Sequence, residues 1–546
     1  MEILVLSSLE KVFSDEKPSA PQFKSFSMLK NERSSFQIAF CTEKDCLVSF
    51  ELKGKLAPHS KTYFVKEIPV GLACNEGSDD FYLRKESGNY PDCLVPVEKE
   101  LTVRGGKWHS LWIEVSPDGD CLGKSVLSVE LKEDGAEQTA CEIEIDVINA
   151  SLPEQELIYT NWYHSDCLCN YYGVEPFSDE YWRINRNFIK TAAEHGMNCI
   201  LTPLFTPPLD TMVGGERKTV QLVKVSRNGG KYYFDFKNLK KWIDMCRECG
   251  IEYFEMSHLF TQWGAKHAPK IVALDGKGRE KKIFGWTTRT SSKAYDDFLR
   301  QFAAALIKVI DGKGLRDKCF FHVSDEPNIN HLETYKRRAK LIKEIFPGFR
   351  VIDALSDFDF YSKRLVEQPI PAEDHIPEFA GKVPELWTYY CCGHDKHYVP
   401  NRFLAMPSLR NRVIGILIYK YDIKGFLQWG YNFYNSRFSI RSIDPFKITD
   451  ADGAFPSGDA FIVYPGEGGE PLESLRLKVL YDGFEDLRAL RLLESLIGRE
   501  KVLEFIDKDL FKPLTFMEYP HENDWLLETR EKINRMIEEN RNAHNI

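Results

Sequence analysis

From residue 157 onward the chain repeats one unit, a short apolar run followed by an amphipathic segment. Short apolar runs predict buried strands, and a period of 3.6 residues predicts helices that cover them. The eight apolar runs are 157–163, 198–204, 252–259, 319–324, 350–355, 385–391, 425–431 and 459–464. Helical segments fall at 179–195, 238–249, 291–310, 331–345, 407–421 and 471–496. This alternation predicts a (β/α)8 TIM barrel of the α/β class, with an irregular fifth unit because no clear helix lies between residues 355 and 385.

The residues before this repeat have a different pattern, in which apolar and polar side chains alternate along short segments. Turn residues such as Pro58 and the pair Gly105-Gly106 separate the segments. Short alternating strands with turn chemistry predict a β-sandwich. The pattern changes at Leu152-Pro153, so we expect a sandwich domain over 1–152 and a barrel over 153–498. The charged, helical remainder, 499–546, predicts a C-terminal extension packed on the barrel.

Composition and charge exclude several classes of function. The formal net charge is −10 and there is no long basic run, so nucleic acid is not an expected partner. No apolar stretch is long enough to span a membrane. Residues 1–11 have no basic segment ahead of their apolar residues, and the 14 cysteines have no repeated spacing, so we expect a cytoplasmic protein without a signal peptide. No His-x-His or His-Glu-x-x-His spacing occurs, which predicts no metal and no cofactor.

Two acids, Asp325 and Glu326, come directly after the fourth apolar run, and Pro327 ends that run. In a barrel, polar residues at the carboxyl ends of strands form the active-site face. Two acids after a buried strand cost desolvation free energy unless they are paired or used. Asp325 could instead cap the helix predicted near His331.

The adjacency of the two acids separates two kinds of glycosidase mechanism. An ordinary retaining glycosidase needs two carboxyl groups about 5 Å apart on opposite sides of the scissile bond. Neighbouring acids lie on one side of the sugar, which suits substrate assistance, where the 2-acetamido group of an amino sugar attacks C1. Glu326 would then be the acid and base, and Asp325 would orient the acetamido group.

The strand end Ser324-Asp325-Glu326-Pro327 resembles that of glycoside hydrolase family 123. Later motifs resemble the related domain of unknown function 4091; they are 425–430, Asp444-Pro445, Gly458-Asp459, Tyr464-Pro465-Gly466, Ser474-Leu475-Arg476 and 481–486. The resemblance spans nearly the whole chain. It implies an exo-acting β-N-acetylgalactosaminidase with a β-sandwich ahead of a (β/α)8 barrel, an adjacent Asp-Glu catalytic pair, and a glycan partner ending in a β-linked amino sugar.

Carried over by position, the resemblance implies that Asp325 and Glu326 are the catalytic pair and that other strand ends supply the substrate pocket. The expected binding residues are Asn161, Trp162, His164, His258, Trp387, Tyr389, Tyr390, Trp429, Asn432, Asp459 and Tyr464. Tyr389 or Tyr390 would donate to the acetamido oxygen, and strand alternation allows only one of them to point inward. Trp429 would be the platform beneath the sugar. His258 would orient an acid or bind a hydroxyl, or be a satisfied core histidine.

Two alternatives remain open from the residues alone. In the first, Glu255 on the third predicted strand is the nucleophile and Glu326 the acid of an ordinary two-carboxylate retaining enzyme acting on a neutral sugar. In the second, the barrel has lost catalysis and only binds carbohydrate through its aromatic strand ends.

Overall fold

The structure, a computed structural model, describes residues 1–135, 137–262 and 264–543. Two sheets of mainly antiparallel strands come first, an eight-stranded parallel sheet with helices follows, and further helices end the chain. The predicted fold class, a (β/α)8 barrel preceded by a β-sandwich and followed by a helical extension, is confirmed.

The N-terminal strands pair into two sheets, ordered β1-β3-β8-β5-β6 and β2-β10-β9-β4-β7. Their bounds are β1 Glu2–Ser7, β2 Ser25–Leu29, β3 Ser34–Cys41, β4 Cys46–Lys53, β5 Ser60–Val70, β6 Gly88–Pro96, β7 Glu100–Val103, β8 Trp108–Val115, β9 Gly123–Glu133 and β10 Gln138–Ile148. Phe36, Ile38 and Phe40 of one sheet share an apolar core with Leu127 and Val129 of the other. Alternate side chains point to opposite faces of a strand, so the alternating sequence buries one face of each sheet.

The second part of the chain contains the remaining strands and the α-helices. The strands are β11 Ile158–Asn161, β12 Cys199–Thr202, β13 Lys224–Asn228, β14 Lys231–Asp235, β15 Tyr253–Met256, β16 Ile271–Leu274, β17 Glu280–Phe284, β18 Cys319–Phe321, β19 Arg350–Ala354, β20 Gln368–Ile370, β21 Trp387–Tyr389, β22 Gly425–Gln428, β23 Tyr464–Pro465 and β24 Pro471–Ser474. The helices are α1 Ser165–Tyr172, α2 Asp179–Glu194, α3 Lys237–Glu248, α4 Lys293–Gly312, α5 Leu332–Ile345, α6 Phe358–Ser362, α7 Ile376–Phe379, α8 Ser408–Arg412, α9 Ile414–Lys420, α10 Leu475–Ile497, α11 Arg499–Asp507 and α12 Asn523–Ala543. Within the described ranges, no helix combines the length and the apolar character that crossing a membrane requires.

Eight strands form the barrel wall in chain order: β11, β12, β15, β18, β19, β20, β21 and β22. Neighbours pair in parallel, β22 pairs with β11, and a bridge between Ala372 and Tyr389 joins the ends of β20 and β21. Phe320, Trp387 and Leu427 fill the interior with other apolar side chains. The carboxyl ends of all eight strands therefore meet at one mouth.

The structure corrects the predicted set of barrel strands at two places. The sixth barrel strand is β20, which the sequence pattern missed because a three-residue strand that contains Pro369 has no visible period. The predicted eighth strand, 459–464, is not in the barrel; its last residue begins β23, which pairs with β24. An apolar run of this length is buried in either case, and periodicity cannot tell a strand from another buried segment.

The loops after β12 and β15 carry a small sheet of their own beside the mouth, ordered β14-β13-β16-β17. A hairpin turn at Asn228-Gly229-Gly230 joins β13 to β14, which pair in antiparallel register. Gly229 has φ +59°, a conformation that glycine adopts without steric cost.

The sandwich and the barrel share a continuous set of contacts. β24 adds to the sandwich by pairing with β6, and the buried ion pair between Arg476 and Asp92 has a distance of 2.9 Å. The last helix, α12, lies between α10 and β2, where Asn534 donates to the backbone oxygen of Ser27 at 3.1 Å. The C-terminal helix thus contacts the sandwich as well as α10, the final helix of the predicted barrel region.

Candidate active site

The loop that leaves β18 places Asp325 and Glu326 at the barrel mouth. The backbone amide of Glu326 donates to the carbonyl oxygen of Ala354, at the end of β19, over 3.0 Å. Glu326 has φ +40°, in the left-handed region that few residues other than glycine adopt. A strained backbone at a polar strand end persists only where its surroundings hold it, and such positions cluster at functional sites.

Helix capping does not explain Asp325. α5 begins at Leu332 after His331, and no side chain hydrogen-bonds to its first turn as a cap. The short 3₁₀ turn Ile329–His331 comes before it, and there the Asn328 side chain accepts from the amide of Asn330 at 3.1 Å. The residue that caps this turn is therefore Asn328 and not Asp325.

Both acids line a cavity of about 220 Å³ at the carboxyl ends of the barrel strands. Four of the predicted binding residues line it with them: Trp162, His164, Tyr389 and Trp429. Burial and the neighbouring Glu326 raise the pKa of Asp325 well above its usual range. In the described part of the chain no donor hydrogen-bonds to the Asp325 carboxyl group, which leaves it available to a ligand.

Tyr389, and not Tyr390, faces the cavity. The hydroxyl of Tyr389 donates to Glu326 Oε1 at 3.0 Å. The Tyr390 ring packs on the outer side of the barrel wall against Phe426, and its hydroxyl is 3.5 Å from Asn411 Oδ1. Consecutive strand residues point to opposite faces, so one tyrosine reaches the mouth and the other the helix layer.

A buried charged network lies beneath the acid pair. Glu255 accepts hydrogen bonds of 2.7 Å from the Thr160 hydroxyl, the Trp162 indole and the His322 ring. The other His322 nitrogen lies 3.4 Å from Asp353. Burial alone would lower the pKa of His322, but Asp353 and Glu255 outweigh it and raise the pKa to about 10. His322 is therefore an imidazolium at neutral pH. Both carboxylate oxygens of Glu255 are engaged in hydrogen bonds below the cavity.

His258 stacks on His322 with ring centroids 4.0 Å apart and an interplanar angle of 17°. Burial and the charge of His322 hold the pKa of His258 well below its usual range, so its ring is neutral. His258, His322 and Asp353 have ligand atoms close enough together for a metal ion. The two rings lie in nearly parallel planes, however, and their in-plane lone pairs do not converge on one ion. The network is thus better described as a stacked imidazole and imidazolium pair.

A second group with metal-ligand spacing, His59, Asp118 and Cys121, lies in the sandwich and not at the barrel mouth. The Cys121 thiol donates to Asp118 Oδ1 at 3.4 Å, and burial raises its pKa. A protonated thiol that donates to a carboxylate accounts for this contact without an ion.

Trp429 is fixed by hydrogen bonds on both its ring and its backbone. Its indole N–H donates to Asp459 Oδ2 at 2.8 Å, and burial raises the pKa of Asp459 to about 7. Its carbonyl oxygen lies 3.0 Å from His164 Nε2, while His164 Nδ1 lies 3.0 Å from Arg217. Burial and Arg217 lower the pKa of His164 to about 3, so the ring is neutral, accepts at Nδ1 and donates at Nε2.

Seven predicted binding residues do not line the cavity: Asn161, His258, Trp387, Tyr390, Asn432, Asp459 and Tyr464. Asp459 accepts the hydrogen bond from the Trp429 indole and so positions a cavity residue. Asn432 Oδ1 accepts from the backbone amide of His164, another cavity residue, at 2.8 Å. Asn161 is buried and donates to the hydroxyl of Tyr159 at 3.1 Å.

Trp387 and Tyr464 are further corrections. Trp387 begins β21 and packs edge-on against Phe320 inside the barrel, at a centroid distance of 5.3 Å. It shares a face with Tyr389 but lies two residues, or roughly 7 Å, closer to the closed end. The hydroxyl of Tyr464 donates to Asp92 Oδ2 at 2.6 Å, at the contact between barrel and sandwich.

A family profile described as "Glycoside hydrolase 123, catalytic domain" matches residues 162–493, which is more than half of the chain. The chain belongs to glycoside hydrolase family 123. The matched region of this family 123 hydrolase contains all eight barrel strands except β11, together with the acid pair. No curated protein sequence matches the chain.

A solved structure shares the fold of this family 123 hydrolase. A family 123 glycoside hydrolase from Clostridium perfringens, described in terms of glycolipid glycan hydrolysis, is 15% identical. The match covers 100% of this chain and 98% of that one, with a TM-score of 0.76. A putative glycoside hydrolase from Bacteroides vulgatus ATCC 8482 is 9% identical over 87% of this chain and 79% of its own, with a TM-score of 0.33.

Several cavity residues of this family 123 hydrolase were not predicted from the sequence: Leu209, Asp210, Gln262, Cys391, Cys392, Phe433, Arg437, Phe438 and Phe455. Asp210 and Gln262 come from the long loops after β12 and β15, at the carboxyl ends of the strands where barrel active sites form. Burial raises the pKa of Asp210 to about 6, although the backbone amide of Phe438 donates to its carboxyl group at 2.8 Å. Loop length was the available signal, but loops have no period that tells which side chain turns inward.

Proposed function

We propose that this protein is an exo-acting β-N-acetylhexosaminidase that prefers N-acetylgalactosamine and retains the anomeric configuration through substrate-assisted catalysis. The adjacency of Asp325 and Glu326 in one cavity carries the proposal. A cavity of about 220 Å³ is smaller than the roughly 300–1,000 Å³ of pockets for drug-sized ligands and suits a single sugar ring. The preference for galactosamine rests on the family resemblance, and the Clostridium perfringens relative supports a glycan substrate.

In the first step, the acetamido oxygen of the bound sugar forms a bond to C1 while the bond between C1 and the leaving oxygen breaks. Glu326 transfers its proton to that leaving oxygen. Asp325 accepts a hydrogen bond from the acetamido N–H, and its negative charge stabilises the positive oxazolinium ring.

In the second step, the Glu326 carboxylate removes a proton from water, whose oxygen attacks C1 as the bond between C1 and the acetamido oxygen breaks. Each step inverts C1, so the product retains the β configuration. In the empty site the Tyr389 hydroxyl donates to one oxygen of Glu326, which leaves the other oxygen for proton transfer.

The proposal requires the acid pair to carry one proton, on Glu326. In the empty site, burial and the charge of Glu326 raise the pKa of Asp325, which favours its protonated form. An acetamido N–H that donates to Asp325 favours its carboxylate form instead, so substrate binding lowers the pKa of Asp325.

The geometry disfavours Glu255 as the nucleophile of an ordinary retaining enzyme, because Glu255 is fully buried and does not line the cavity. Asp210 does line it and is the residue that keeps a two-carboxylate mechanism open. Asp210→Asn and Asp325→Asn are therefore the matched variants that separate the two mechanisms.

The test is turnover of 4-nitrophenyl β-N-acetylgalactosaminide, beside the corresponding glucosaminide and the plain β-galactoside. We expect the galactosaminide to be fastest and the plain galactoside to be inert, because the latter lacks an acetamido group. Asp325→Asn should abolish turnover, while Asp210→Asn should retain most of it. Equal rates on the plain galactoside, or loss in Asp210→Asn alone, contradict substrate assistance.

A calorimetric titration with N-acetylgalactosamine tests the non-catalytic alternative. Binding of the sugar by wild-type protein that turns over none of the three glycosides would favour a carbohydrate-binding barrel. In that case Asp325→Asn should still weaken binding, because its carboxylate contacts the acetamido group.

A further inference from the structure

A second cavity, of about 440 Å³, adjoins the catalytic cavity at the barrel mouth. The two cavities share Gln262 and Phe438 as walls, so a ligand that fills the first can extend into the second. Met212, Val213 and Trp286 give the second cavity an apolar wall. Met212 and Val213 are 47% and 74% exposed, which is unusual for large apolar side chains beside an active site.

The second cavity is lined by neutral and basic side chains, whereas the protein as a whole is acidic. Its polar lining residues are Thr211, Thr261, Gln262, Lys266, His267 and His331. No carboxylate is among the described residues that line it, although the chain has a formal net charge of −10. Lys270 and Lys282 in the same region both pair with Glu216, but Lys266 is exposed and has no ion pair in the described ranges.

Two buried nitrogen atoms at this site have no partner within the described residues. Gln262 Oε1 accepts from the amide of Asp210 at 2.7 Å, but its Nε2 is buried without an acceptor. His267 Nδ1 is also buried without a partner. A buried donor without an acceptor costs free energy, and a ligand oxygen would remove that cost. In the catalytic cavity, next to the shared wall residue Phe438, the exposed Arg437 is a second cation that forms no ion pair in the described part of the chain.

We propose that the second cavity binds the sugar on the leaving-group side of the scissile bond, and that this sugar carries a carboxylate or a sulfate ester. Lys266 pairs with the anion, Gln262 Nε2 donates to an oxygen of the same sugar, and Trp286 contacts its apolar face. The inference rests on the proposed hydrolase function, and it requires the scissile bond to lie between the two cavities, which share Gln262 and Phe438.

The experiment compares three disaccharides that differ only in the leaving sugar. Terminal β-N-acetylgalactosamine is joined to glucuronic acid, to glucose, or to glucose 6-sulfate. We expect kcat/KM to be about fivefold higher for at least one anionic disaccharide than for the neutral one, in the range of a partly exposed ion pair. The preference should fall as salt screens the charge. A preference for the glucuronic acid disaccharide indicates a carboxylate ligand, and a preference for the glucose 6-sulfate disaccharide indicates a sulfate ligand.

Variants assign the preference to its residue. Lys266→Ala should bring the anionic-to-neutral ratio of kcat/KM close to one, Lys266→Glu should invert it, and Lys266→Arg should preserve it. Lys293→Ala is the matched control, because Lys293 is an exposed lysine on α4 that pairs with Asp297 away from both cavities, and it should leave the ratio unchanged.

A ratio near one for both anions in the wild type overturns the proposal, as does a ratio that Lys266→Glu leaves unchanged. If the wild type cleaves neither the disaccharides nor the nitrophenyl glycosides, the proposed function fails and the cavity is tested by binding alone. Saturation-transfer NMR with methyl β-glucuronide and methyl β-glucoside then decides. Glucuronide binding that Lys266→Ala removes supports the anionic site, and equal signals from both sugars overturn it.

Discussion

The Tyr389 hydroxyl donates a 3.0 Å hydrogen bond to Glu326 Oε1, which connects the end of β21 to the loop after β18. Burial and the charge of Glu326 hold the pKa of Tyr389 well above its usual range, so the phenol stays a donor. The sequence predicted that a tyrosine here would donate to the acetamido oxygen of the substrate. In the empty site Tyr389 instead contacts the acid, and a contact with substrate stays a prediction.

Tyr389→Phe tests this hydrogen bond. The change removes one hydroxyl and leaves the ring, so Glu326 loses the group that orients it at a strained backbone position. We expect kcat/KM on the nitrophenyl galactosaminide to fall about tenfold to a hundredfold, equivalent to about 1.4–2.7 kcal/mol. Tyr390→Phe is the matched control one residue away, outside the cavity, and should change kcat/KM less than about twofold. Similar losses in both variants contradict the assigned orientation.

Glu326→Gln tests the role of the acid through the leaving group. A good leaving group needs little protonation, so we expect a modest loss on the 2,4-dinitrophenyl glycoside and a loss of about 100-fold or more on a methyl glycoside. Asp325→Asn should lose activity on both, because it acts on the acetamido group and not on the leaving oxygen. The measurement is kcat/KM over a series of aglycones, and a Glu326→Gln loss independent of the aglycone argues against general acid catalysis.

His322→Gln tests the charged network beneath the pair. The positive charge of His322 opposes the increase in the pKa of Asp325 that burial causes, so its removal raises that pKa further. In the proposed mechanism, activity needs ionised Asp325 and increases as the pH rises through the pKa of Asp325. The ascending limb of the kcat/KM profile should therefore move to higher pH. His258→Gln, which removes a neutral ring, should move it less. A uniform loss of activity with the limb unmoved would indicate only a structural role, and thermal unfolding checks that each variant folds.

Tyr464→Phe tests the reassignment of a predicted binding residue. Tyr464 donates to Asp92 where the barrel meets the sandwich, and Arg476 remains paired with Asp92 after the change. We expect a loss of about 1–2 kcal/mol in the free energy of unfolding, with kcat and KM unchanged. Trp429→Phe should behave in the opposite way and raise KM, because Trp429 lines the cavity. Denaturant unfolding and steady-state kinetics on both variants are the measurements. A raised KM in Tyr464→Phe would indicate that Tyr464 does contribute to substrate binding.

The barrel could be predicted because apolar residues follow different patterns in its strands and its helices, and both patterns can be recognised in the sequence. β20 could not, because three residues with an internal proline have no period, and the apolar run 459–464 looked like a strand because burial alone produces such a run. Trp387 was expected in the pocket because the resemblance was carried over by position on the strand, and that position does not give the depth of a side chain in the barrel.

The sequence by itself determined the alternation of strands and helices and the adjacency of Asp325 and Glu326, because both are properties of neighbouring residues. Only the tertiary structure decided that Tyr389 faces the cavity, that Glu255 lies below it, and that Gln262 and Lys266 form the wall beyond it. Tyr389 and Glu326 are 63 positions apart, and their contact depends on the absolute orientation of two strands. Alternation requires consecutive strand residues to face opposite ways, but the closure of the barrel sets which one faces inward.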